Sequence, residues 1–141
     1  MSRAARPWLI GLLAWAAVIF TLSSFPNPPG PRVTEPRAVL AHISFYAVLG
    51  YLAVRWLAAW RGSAGMGIAA AAWLLAVAYG ISDEVHQAFV PNRHASAFDV
   101  LADAAGAALG VALGARHAAR RVPRISRTAA PPGPAPNHPA R

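Results

Sequence analysis

Apolar residues in this chain gather in four long runs, and most polar residues are confined to the breaks between them. The runs cover about residues 8–25, 38–60, 65–82 and 97–115. As helices rising about 1.5 Å per residue, such runs are of the length that crosses a hydrocarbon core of about 30 Å. The breaks carry helix-stopping signals. Five prolines and Gly30 between residues 26 and 37 forbid continuous helix there. Arg61-Gly62-Ser63 makes a short turn, and Val90-Pro91-Asn92 interrupts the chain before the fourth run. The pattern predicts an all-α, polytopic membrane protein: four transmembrane helices in a bundle over residues 1–116.

Arg3 and Arg6 ahead of the first run are compatible with a signal peptide, but Trp8, Trp15 and the lack of a small-x-small cleavage site favour an uncleaved helix. From His117 onward the chain is rich in Arg, then in Pro and Ala, with six prolines between Pro123 and Pro139. Residues 117–141 therefore read as a disordered tail that buries no core.

Composition sharpens this picture. The chain is 56% hydrophobic and 13% charged, whereas soluble domains carry about 25% charged residues. The net charge of +8 comes from arginines that lie between the runs and in the tail, not in one stripe. That distribution speaks to membrane topology and against nucleic acid as a partner. Without cysteine there is no disulfide, no thiolate metal site and no thiol nucleophile. With the N-terminus inside, ten arginines are cytoplasmic and three (Arg32, Arg37, Arg93) are outside. The excess of positive charge inside places both termini in the cytoplasm. Arg55, inside the second run, then has to snorkel inward.

Four of the five acidic residues (Asp83, Glu84, Asp99, Asp103) fall within residues 83–106, together with His86, Gln87 and Arg93. The orientation brings three segments to one depth in the outer leaflet. His42 and Tyr46 lie in the outer part of the second helix, the Asp83–Gln87 group ends the third, and Asp99 and Asp103 begin the fourth. Ionisable groups are costly in a bilayer, so their convergence marks a functional site.

At 100° per residue, Asp83, His86 and Gln87 share a helix face, with Glu84 beside it. Such a face can coordinate a ligand, relay a proton, bind a headgroup or simply meet water at a helix end. Ser96 and Asp99 have the spacing of an N-terminal cap. Asp103 lies one turn deeper, where a carboxylate needs a partner, and Arg93 is the nearest cation in sequence. Asp99, Asp103, Gly106, Gly110 and Gly114 form one stripe, the glycines allowing close approach of a neighbouring helix. His42, His86, Asp83 and Glu84 lack any short-range metal-ligand spacing, so no metal or cofactor is assigned. A Ser96, His86 and Asp99 hydrolase lacks its strand-turn-helix elbow.

The stretch from Tyr79 to Gly106, with Asp83-Glu84, Gln87, Phe89, Pro91, Arg93, Ser96 and Asp99 in register, resembles the signature of VanZ-like membrane proteins. His42, Phe45, Tyr46 and Leu49 resemble that family's His-containing second helix, and Ser23-Ser24-Phe25-Pro26 is similar to the close of its first. The resemblance covers about residues 8–116. It implies a small polytopic protein of the bacterial cytoplasmic membrane, from a family whose founding member is linked to teicoplanin resistance without an established biochemical activity. Two features depart from it: Ala38 and Val39 stand where relatives have an Asp-Lys pair, and Asp103 stands where they commonly have Asn. The expected role is binding or protection of an envelope component, a lipid or a glycopeptide. One alternative is a membrane enzyme acting on a lipid-linked substrate with Glu84 or Asp83 as general base. The other is a structural protein that packs against a like or unlike partner through the glycine stripe.

Overall fold

Each apolar run becomes one helix, because a chain in hydrocarbon must satisfy its backbone polar groups within itself. The computed structural model describes residues 2–26 and 35–120. It contains α1 (Arg6–Ser23), α2 (Glu35–Arg61), α3 (Met66–Gln87) and α4 (Ala97–Ala119). All four are long and apolar enough to span a membrane. Large apolar side chains such as Ile10, Leu40, Leu74, Leu101 and Leu109 point outward, as expected where the surrounding solvent is lipid.

The boundaries differ from the sequence expectation in instructive ways. α2 begins at Glu35, because Pro36 sits in its first turn, where a missing N–H costs nothing. α3 continues to Gln87 and so carries Asp83, Glu84, His86 and Gln87 on helical backbone. α4 runs on through His117 to Ala119, past the expected start of the tail. Residues 121–141, and with them the expectation of disorder, lie outside the described residues. Gly62 ends α2 at a φ of 69°, a left-handed conformation that glycine adopts without penalty.

α2 and α4 form the most extensive helix pair. The cause is the glycine stripe of α4: a Cβ on Gly106 would strike the backbone of Ile43, and one on Gly110 the backbone of Ala47. Gly114 lies against Tyr51 and Val54 in the same way. The stripe is therefore consumed inside the chain and buried. This corrects the expectation that it offers a surface to a second chain. α1 leans mainly on α2 and more lightly on α3. Aromatic side chains tie the bundle together, with Trp15 Nε1 donating to Phe45 O (2.9 Å), Trp73 Nε1 to Ala104 O (2.9 Å) and Tyr79 Oη to Ala16 O (2.6 Å).

Candidate functional site

Polar side chains from all four helices meet at the end of the bundle where α1 and α3 finish and α4 begins. The α3 residues divide by direction, as a 100° helical step requires. Asp83 faces α1 and accepts a hydrogen bond from Ser23 Oγ (2.6 Å) on one oxygen and from Gln87 Nε2 (3.0 Å) on the other. Glu84 faces α4, where Oε2 accepts the backbone N–H of Ser96 at 2.7 Å and Oε1 accepts from Gln87 Nε2 at 3.3 Å. Asp83, Glu84 and Gln87 are all buried.

The contact from Glu84 to Ser96 completes a helix cap in an unexpected way. Ser96 is the N-cap of α4, and its Oγ accepts from Asp99 N (3.3 Å). In a local capping box the third helical residue would return the favour to the N-cap N–H. Asp99 is too short an arm, and Glu84 performs that role from another helix. The start of α4 is thereby fixed to α3.

A second group is centred on His42. Its Nδ1 lies 2.9 Å from Asp103 Oδ1, and its Nε2 lies 4.0 Å from Asp99 Oδ2. With Asp103 ionised, Nδ1 carries the proton and Nε2 remains available. Asp103 is only 1% exposed, and its Oδ2 has no hydrogen-bond partner, like the hydroxyl of buried Tyr46. Both side chains occupy space left by Gly80 of α3, where a Cβ would crowd the Tyr46 ring and Asp103 Oδ2. Gly80 is not among the residues expected at the site.

Between α1, α2 and α3 lies a cavity of about 360 Å³. Ile19, Leu22, Phe45 and Tyr46 give it apolar walls, and His42, Asp83, Gln87 and Arg93 add polar groups. Arg93 does not pair with Asp99 or Asp103, contrary to expectation. It reaches instead over the end of α1, donating from Nη2 to Leu22 O (3.2 Å), with its Nε unpartnered. The turn through Asn92, at a φ of 62°, precedes it. The last carbonyls of a helix carry partial negative charge, which a guanidinium at the end of α1 complements.

Most of the expected cluster is thus brought together. His86 stands apart: it stacks on Phe20 (4.6 Å between ring centres) and meets Ser24 Oγ at 3.0 Å, outside the His42 group. Ser23 joins the site from the end of α1 through Asp83, and Ser24, the C-cap of α1, meets His86; neither belongs to the expected cluster. The signal was present, since two hydroxyls close the first apolar run at the depth of Asp83 and His86. His42, Glu84 and Asp103 can each offer one donor atom within 4.8 Å of the others. Their proximity is already accounted for by the His42–Asp103 contact and the Glu84–Ser96 bond. One imidazole and two carboxylates are nonetheless a donor set that suits a divalent transition metal.

The sequence profile of the VanZ/LLP1 family matches residues 8–116, well over half of the chain. The chain belongs to the VanZ/LLP1 family. It is a multi-pass membrane protein, and the matched stretch runs from the first turn of α1 into the last of α4, so it contains every residue of the site. Comparisons with curated proteins and with solved structures give no match. In this VanZ/LLP1 protein, the cavity and the Asp83–Glu84–Gln87 network stand side by side, with His42 in contact with both the cavity and Asp103.

Proposed function

We propose that this VanZ/LLP1 protein binds the polar end of an amphiphilic envelope component at the outer face of a bacterial cytoplasmic membrane. The observation that carries the reading is the cavity. Its volume falls in the range of small-molecule sites, and its lining is mostly apolar with a few convergent polar groups. A ligand with a hydrocarbon part and a polar head, such as a lipid or a lipid-anchored glycopeptide, matches that lining. The arginine distribution supports an outward-facing site, since among the described residues its end of the bundle holds Arg37 and Arg93 while the opposite end holds Arg3, Arg6, Arg55, Arg61, Arg116 and Arg120.

The test is complementation. A deletion strain under envelope stress, glycopeptide included, is supplied with the wild-type chain, Arg93→Ala or Glu84→Gln. The reading expects both variants to accumulate normally and to fail. Rescue by both would remove the site from the function.

A second reading, enzymatic turnover of a lipid-linked substrate, is favoured by one observation. Asp103 orients His42 through Nδ1 while His42 lines the cavity, an arrangement suited to a general base. Asp83 and Glu84, the expected bases, use their oxygens to hold Ser23, Gln87 and Ser96. Lipid profiling separates the readings, because deletion of an enzyme leaves a substrate to accumulate and deletion of a binder does not.

A further inference from the structure

The other end of the bundle has a pocket of its own, of about 250 Å³, walled by the starts of α1 and the ends of α2 and α4. Trp8, Arg55, Ala59, Ser63, Ala64 and Ala118 contribute to its lining. Arg55 is the unusual member. It lies six residues before the end of α2, about 9 Å inward at 1.5 Å per residue, and is 6% exposed. It does not snorkel out to water. Its guanidinium stacks on Trp8, with Cζ 4.2 Å from the ring centre, and also approaches Tyr51. Tyr51 is itself held by His117, 3.1 Å from its hydroxyl.

Among the described residues nothing balances the charge of Arg55. Among the described residues it has no carboxylate within 4.0 Å, and its one hydrogen bond runs from Nη1 to Tyr51 Oη at 3.3 Å. None of its nitrogens is sealed off without a partner, so the remaining N–H groups open onto the pocket. All five acidic residues stand at the opposite end: Glu35 starts α2, Asp83 and Glu84 close α3, and Asp99 and Asp103 begin α4. Arg3, Arg6, Arg61, Arg116 and Arg120 surround the Arg55 end. A buried cation without a counter-ion is costly, and an anion entering this pocket would relieve that cost.

We propose that this second pocket binds a phosphate group, with Arg55 as its principal ligand. Guanidinium presents a planar fork to phosphate oxygens, and its stacking on Trp8 fixes the fork in place. The depth suits the phosphate of a lipid headgroup, and basic pockets between transmembrane helices are known to hold such groups. Ser63, in the turn after α2, supplies a hydroxyl at the same rim. The site is separate from the cavity at the acidic end and does not depend on which leaflet each end faces.

The test is a ligand-dependent thermal shift of the purified full chain in detergent micelles. Three additions are compared: phosphatidylglycerol, diacylglycerol and inorganic phosphate. The expected result is that phosphatidylglycerol raises Tm by about 5 °C and diacylglycerol does not. An equal rise with inorganic phosphate would identify the free anion as the source; a rise only with phosphatidylglycerol identifies the headgroup. Arg55→Gln abolishes the shift, as does Ala64→Phe, which fills the pocket from the turn and leaves Arg55 intact. Arg61→Gln, outside the pocket, keeps it. The proposal is overturned if neither phosphate source raises Tm, if Ala64→Phe shifts like the wild type, or if Arg61→Gln loses the shift as completely as Arg55→Gln.

Discussion

Among individual residues, Glu84 has the clearest structural duty. Its carboxylate accepts the Ser96 N–H that starts α4, so removing the acceptor leaves a half-buried donor unsatisfied. Glu84→Leu should lower stability by about 1–3 kcal/mol. Glu84→Gln keeps an acceptor oxygen for Ser96 and gives up only the longer bond from Gln87 Nε2, so it should cost less than Glu84→Leu while removing the charge. Thermal unfolding of the two purified variants checks the difference, and equal losses would mean that the carboxylate charge itself holds α4. His42 and Asp103 were visible in the sequence as polar residues at one depth, but their pairing was not. Arg93 was the expected partner because it is close along the chain. Leu22 O claims it because α1 ends beside it in space, a relation no local pattern encodes. Ser96 shows the same limit, since the spacing to Asp99 suggested a local cap and the second half of that cap comes from α3.

Among the helices, the pair α2–α4 sets the geometry of the site. Gly106 and Gly110 let the backbones approach until His42 and Asp103 can meet at 2.9 Å. Gly110→Leu should therefore destabilise the monomer by more than the about 1–3 kcal/mol typical of overpacking, because backbone rather than a side chain must yield. The measurement is the Tm of the purified chain beside its elution volume. A change in elution volume at constant Tm would return the stripe to an intermolecular role. Four helices, their order and approximate lengths were legible from hydropathy alone. The ends were not: Pro36 is tolerated in a first turn, and the polar residues 83–87 stay helical because their side chains find partners on α1 and α4. The glycine stripe was recognised as a packing surface. Which helix it packs against is a tertiary fact that the stripe does not carry.

Over the whole molecule, charge is segregated. The acidic residues with His42 gather at one end and Arg55 with most described arginines at the other. This segregation ties the proposed outward orientation of the site to topology, because the basic end should stay in the cytoplasm. It also predicts that Arg93→Ala, which removes a positive charge from the end proposed to lie outside, leaves the orientation unchanged while disabling the site. The central claim, that the acidic end and its cavity face outward, is tested most directly by thiol labelling in a chain that has no cysteine of its own. Single cysteines at Asn92, in the turn beside the site, and at Ser63, at the opposite end, are exposed to a membrane-impermeant reagent in intact cells. Labelling at position 92 and protection at 63 is the predicted result. Labelling at 63 and protection at 92 would turn the site toward the cytoplasm and contradict the envelope-ligand reading.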